Sequence, residues 1–214
     1  MKRYLAEFAG TFVMVFCGTG AIVLNQHLNH TLGGAGISIA FGVSVTLMIL
    51  LFGGISGAHI NPAVSVAVVL TGSLPRKQLI PYIISQFAGA VAASVILKQL
   101  AGQGSGLGAT HPSGTLTESF LFEILLTFIL MGVILLTAGR PSKLNRFAPW
   151  CIGLTVLLEA YFAGPVSGAS MNPARSFGPA MVTGANGDLW LYLIAPVAGA
   201  VLAAFLWKRL LNRL

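Results

Sequence analysis

The segment Ser56-Gly57-Ala58-His59-Ile60-Asn61-Pro62-Ala63 is written a second time as Ser167-Gly168-Ala169-Ser170-Met171-Asn172-Pro173-Ala174, identical at six of eight positions. The repetition reaches well beyond it. Glu7, Thr11 and Phe12 recur as Glu123, Thr127 and Phe128, and Ala88-Gly89-Ala90 recurs as Ala198-Gly199-Ala200. Taken along the chain, these pairings are offset by 116, 111 and 110 residues, in the same order and nearly in register. The chain therefore reads as two copies of one unit, approximately 1–105 and 115–214, within a single domain spanning 1–214.

Charged residues make up 8% of the 214 and hydrophobic ones 56%, where a soluble domain carries roughly a quarter charged residues. Such a chain cannot cover a water-facing surface and belongs in a lipid bilayer. A membrane-crossing helix needs about 20 apolar residues. Six stretches qualify, roughly 4–24, 34–54, 79–100, 117–138, 147–164 and 188–210. Their apolar residues are continuous instead of alternating, which argues against a transmembrane β-barrel. The fold class is an all-α membrane protein with six transmembrane helices. Three spans per copy force the second copy upside down, giving the inverted-repeat architecture of many transport proteins.

The net charge of +7 is topological and does not indicate a nucleic-acid partner. With the N-terminus inside, ten of the twelve basic residues fall on one side: Lys2, Arg3, Arg76, Lys77, Arg140, Lys143, Arg146, Lys208, Arg209 and Arg213. Only Lys98 and Arg175 lie elsewhere. This is the positive-inside bias, and it predicts that both termini are cytoplasmic. Met1-Lys2-Arg3 before an apolar run resembles the start of a signal peptide, but no cleavage site follows and Glu7 interrupts the run. It is read as the first span. Cys17 and Cys151 lie in apolar segments and are read as small core residues.

Each Asn-Pro-Ala lies between the second and third spans of its copy, before a short apolar stretch (Val64 to Leu70, Ser176 to Val182). These stretches predict two re-entrant half-helices entering from opposite faces and meeting near the midplane. Proline suits the first helical turn, where its missing N–H is not needed. Asparagine suits the N-cap, its oxygen accepting a first-turn N–H. The amide NH2 of Asn61 and of Asn172 is then left as a donor toward a passing oxygen, which interrupts a proton-conducting chain. The converging positive half-helix ends repel cations. Irregular backbone at this depth is tolerated only where it lines a cavity. The carbonyls of Gly57, Ala58, His59 and Ile60, and of Gly168, Ala169, Ser170 and Met171, therefore read as two ladders of acceptors.

These paired loops and repeats resemble the aquaporin and glycerol-facilitator superfamily, the major intrinsic proteins, over essentially the whole chain. The resemblance implies a passive channel for water and small uncharged solutes that excludes ions and protons, built as a homotetramer with one pore per subunit. It further implies a selectivity filter of Phe41, Ala160, Ala169 and Arg175. Arg175 follows Asn172 by three positions, and its counterpart in the first copy is Val64. Water-selective members carry His where this chain has Ala160. Glycerol facilitators carry two filter aromatics and an Asp after the Arg, where this chain has Phe41 alone and Ser176. The pattern comes nearest to plant nodulin-like members and their bacterial relatives, which pass water, glycerol and neutral hydroxylated acids. A strictly water-selective pore is the alternative within the family.

Glu7 and Glu123 occupy matching places, and in relatives such carboxylates accept from the re-entrant loops; Gln86 is a third candidate. Glu159 has no counterpart in the first copy, and its reading stays open between support of Arg175 or the outer loop and a subunit contact. His59 is either a donor to solute or a loop-packing residue, and His27, His30 and His111 are assigned no role. Two other classes share single features with this chain. Gly54-Ile55-Ser56-Gly57 matches the nucleophile motif of intramembrane serine proteases, but no His follows position 111 to act as base. A coupled secondary transporter shares inverted repeats, but half-helix N-termini disfavour a coupling cation. The sequence offers no phosphate loop or metal cluster, and no enzyme activity, cofactor or metal is expected. Short loops suggest a bacterial or archaeal inner membrane.

Overall fold

The computed structural model describes residues 1–102, 104–139 and 143–211. Arg140 and Arg213, counted above on the inner side, lie outside the described residues. The helices are α1 (Lys2–His27), α2 (Gly33–Ser56), α3 (Pro62–Leu70), α4 (Leu79–Ala101), α5 (Leu116–Ala138), α6 (Ala148–Ser167), α7 (Pro173–Thr183) and α8 (Leu189–Leu211). Single 3₁₀ turns, Arg76–Gln78 and Lys143–Phe147, lead into α4 and α6.

Six of these helices are long and apolar enough to cross a membrane, in the places the sequence predicts. They run a few residues further than expected. Helix α6 continues through Pro165 to Ser167, where the Val166 carbonyl accepts from the Ser113 amide at 3.1 Å. The half-helices α3 and α7 begin at Pro62 and Pro173, before the predicted Val64 and Ser176, because proline occupies the first helical position after each asparagine cap.

The two copies interlock. Half-helix α3 of the first copy packs on α8 of the second, and α7 of the second packs on α4 of the first. The long helices α2 and α6 cross at Gly42 and Gly153, repeat counterparts that face each other. A Cβ added to either would lie 2.6 Å from the carbonyl oxygen of the other. Two counterparts in mutual contact mark a local two-fold axis passing between them. Gly89 and Gly199 do the same work within each copy, admitting the backbone of α1 at Phe8 and Phe12 and that of α5 at Ile124 and Phe128. Membrane helices gain little from hydrophobic exclusion between themselves, so such close backbone approach carries much of their association.

Gly153→Val is accordingly expected to lower the thermal unfolding midpoint in detergent, at about 2–4 °C for each kcal/mol of an overpacking cost of about 1–3 kcal/mol. Gly164→Ala, whose added methyl meets nothing within 4 Å, should move it by less than about 2 °C. Circular dichroism melts of the two variants check this, and equal shifts would contradict the crossing-point role.

Candidate functional site

The N-termini of α3 and α7 abut. Asn61 and Asn172 stand at extended backbone as their caps, and Asn61 Oδ1 accepts from the Ala63 amide at 2.8 Å. Asn172 Oδ1 accepts from the amides of Ala174 (3.0 Å) and Arg175 (3.4 Å). Their amide nitrogens do something the sequence reading missed. Asn61 Nδ2 donates to the Met171 carbonyl and Asn172 Nδ2 donates to the Ile60 carbonyl, both at 2.8 Å. Each asparagine thus holds the opposite re-entrant loop, and each keeps one further N–H. The expected acceptor ladders change accordingly: the Ile60 and Met171 carbonyls already have a protein donor.

The loops themselves are strained. Gly57 and Gly168 end α2 and α6 in the left-handed region, and Ala58, Ile60, Ala169 and Met171 follow with φ between 41° and 55°. A left-handed L-residue costs about 1–2 kcal/mol, so other contacts must hold this backbone. Glu7 and Glu123, both fully buried, supply them. Glu7 accepts from the Ser56 hydroxyl (2.7 Å) and from the amides of His59 (2.9 Å) and Ile60 (2.7 Å). Glu123 accepts from the Ser167 hydroxyl (2.9 Å) and from the amides of Ser170 and Met171, both at 2.8 Å. The carbonyls ending the two helices are closed by tyrosines, Tyr82 on Ser56 (2.8 Å) and Tyr192 on Ser167 (2.6 Å). Tyr82 and Tyr192 recur at the same offset as Ala-Gly-Ala, a signal present in the sequence that the motif reading passed over.

Around this shared frame the copies differ. In the first, Ser65 meets His59 Nδ1 (3.1 Å) and accepts from Gln86 (2.9 Å), which also donates to Glu7 (2.8 Å). In the second, Ser176 meets Ser170 at 2.5 Å and accepts from Thr110 of the outer loop at 2.8 Å. His59 is therefore tied to the loop, its ring 5.2 Å from that of Tyr82. Ser56 donates to Glu7 and accepts from the Ala58 amide, so its hydroxyl is spent on holding the loop.

An axial cavity of about 840 Å³ passes this meeting point. Arg3, Asn145 and Arg146 line one end of it. Phe41, Ala160, Ala169 and Arg175 line it, as do Gly57, Ala58, His59, Ile60, Asn61, Ser170, Met171 and Asn172. Gly168 does not line it, and Pro62, Ala63, Pro173 and Ala174 are buried in the half-helix starts. Arg175 is 3% exposed, donates to the Gly108 carbonyl at 2.6 Å and sets its guanidinium 5.1 Å from the Phe41 ring centre. Gly108 and Thr110 lie outside the repeat, so no sequence signal marked them. Glu159 reaches neither Arg175 nor the outer loop through a hydrogen bond. Both its oxygens are buried without a hydrogen-bond partner among the described residues, beside a recess formed by Phe122, Leu126, Leu158, Phe162 and Ala163.

Six apolar helices, two half-helices joined at capped N-termini, and an axial cavity past their junction define a polytopic membrane channel. The model of the major intrinsic protein family matches residues 1–207. Aquaporin NIP3-1 of Arabidopsis thaliana is 40% identical over 213 residues, covering 96% of this chain and 66% of that relative. Nodulin-26 of Glycine max is 39% identical over 209 residues, covering 97% and 77%. An X-ray structure of the aquaglyceroporin from Plasmodium falciparum superposes with a TM-score of 0.88 at 26% identity, covering 99% of this chain and 97% of that one. The chain belongs to the major intrinsic protein family, the channels for water and small neutral solutes.

Glu123→Ala would strand three donors beneath the second loop, at about 1–3 kcal/mol for each unsatisfied group. It is expected to abolish a cooperative melt or lower its midpoint by more than about 10 °C. Glu159→Leu, which removes a carboxyl without partners, should leave the midpoint unchanged or raise it. Melts in the same detergent decide, and the reverse order would contradict the support role.

Proposed function

We propose that this channel passes water and glycerol-sized neutral solutes, with urea and neutral metalloid hydroxides in the same size and polarity class, and excludes ions and protons. The observation that carries the reading is the cavity wall around Arg175. Ala160, Ala169 and one aromatic residue, Phe41, line the same cavity as Arg175. A small apolar residue at position 160 leaves room for a carbon backbone, and Arg175 supplies a donor to a hydroxyl oxygen. The relative named an aquaglyceroporin supports the same class.

Exclusion follows from the meeting point. Each asparagine keeps one N–H for a passing oxygen, and residues 57–59, 169 and 170, whose carbonyls no asparagine takes, lie along the same wall to accept from it. An oxygen accepting from both asparagines cannot also receive a proton from its neighbour along the file. The half-helix N-termini and Arg175 add positive potential against cations.

The proposal includes a homotetramer with one pore per subunit, in a cell inner membrane with both termini cytoplasmic. The starts of α1 and α4, joined by Arg3 donating to Gln78 at 3.4 Å, and the start of α6 carry Lys2, Arg3, Arg76, Lys77, Lys143 and Arg146, which supports that orientation.

Stopped-flow light scattering of proteoliposomes under sucrose and then glycerol gradients tests the reading. Both permeabilities are expected well above those of empty vesicles and linear in solute concentration. Ala160→His should lower glycerol flux about tenfold, the scale of added bulk in a fitted site, and water flux by less than about twofold. Fast water without glycerol would establish the strictly water-selective alternative, and saturable gradient-coupled uptake would establish a transporter.

A further inference from the structure

We infer that Gly18, on the buried side of α1, sets the width of the filter by giving the ring of Phe41 a place to lie back. The inference rests on reading Phe41 as a filter residue. A glycine in mid-helix weakens that helix relative to alanine, and Gly18 has no left-handed backbone that would require it. The reason lies in what faces it. A Cβ built on Gly18 would overlap the Cδ1, Cε1 and Cζ atoms of the Phe41 ring. Gly42, Gly89, Gly178 and Gly199 differ, since each meets main-chain atoms of a neighbouring helix. They admit helices, whereas Gly18 admits one aromatic edge.

That edge is part of the filter wall. Phe41 is 7% exposed, lines the axial cavity, and has the Arg175 guanidinium 5.1 Å from its ring centre. With the bare backbone of α1 behind the ring and the cavity in front, a methyl group at position 18 can be accommodated only by moving one of them. Helix α1 is tied to the first loop through Glu7, so the ring yields and advances toward Arg175. The aperture then closes against the larger solute first. The second copy makes no such recess: the repeat counterpart of Gly18 is Ile134 and that of Phe41 is Ile152.

The test is a double-mutant cycle in proteoliposomes, read as the ratio of glycerol to water permeability. Gly18→Ala is expected to lower that ratio about tenfold, and to have no effect on it in a Phe41→Ala background, where the methyl has room. Phe41→Trp, which crowds the same recess with α1 untouched, should lower the ratio in the same direction. An equal loss of both permeabilities in Gly18→Ala, a loss that persists without the ring, or an unchanged ratio in Phe41→Trp overturns the inference. Phe41→Ala separates the two levels. If it leaves the ratio unchanged, the filter reading fails and the inference with it. If it raises the ratio while Gly18→Ala acts identically in both backgrounds, only the inference fails.

Discussion

The structure depends on how it satisfies non-helical backbone in the middle of a membrane. Water cannot do so there except inside a cavity, and each unpaired amide or carbonyl is costly. Here two loops of strained backbone are held from both sides. Behind them, Glu7 and Glu123 each take a hydroxyl and two amides. In front, Asn61 and Asn172 each take a carbonyl of the opposite loop. The second pair of bonds exists only if the two copies are assembled, so the site and the fold are one set of interactions. Buried carboxylates in lipid would otherwise be a liability. With three donors from its own loop on each, and Gln86 as a fourth on Glu7, they become the fixed points from which the pore is hung.

Symmetry carries the frame, and it is broken at the residues proposed to select. The Asn-Pro-Ala caps, the glutamates, the tyrosines on Ser56 and Ser167 and the facing Gly42 and Gly153 all occur in pairs. Of the proposed filter only Ala169, which answers to Ala58, does. Arg175 answers to Val64, Phe41 to Ile152 and Ala160 to Ile49. The polar support of Ser65 comes from Gln86, whereas that of Ser176 comes from Thr110 on the outer loop. The same loop gives Arg175 its carbonyl partner at Gly108. On the proposed reading the paired units form the junction that repels ions, and the unlike residues laid over it choose among neutral solutes.

This division explains what was legible in the chain. The six spans, the half-helices and their caps follow from apolar length, proline and asparagine chemistry and the repeat, all local or periodic properties. The glutamates were legible because they recur. The cross-loop donors were not, since nothing near Asn61 in sequence says that Met171 lies 2.8 Å from its amide. The left-handed backbone at Ala58, Ile60, Ala169 and Met171 was hidden for a related reason. Tertiary bonds impose it on residues that do not favour it. Gly108 and Thr110 sit in unrepeated chain, where no pattern could mark them. Glu159, read as open, remains a carboxyl with no hydrogen-bond partner among the described residues.

The central claim is that the paired asparagines and half-helix ends let an oxygen-bearing molecule through while breaking the line of hydrogen bonds that would carry a proton. Water and proton permeability measured on the same proteoliposomes test it most directly. Stopped-flow scattering reads the first, and an entrapped pH dye under a clamped membrane potential reads the second. The account predicts water permeability rising in proportion to protein content with proton permeability equal to that of empty vesicles. A proton flux that rises together with the water flux would contradict it.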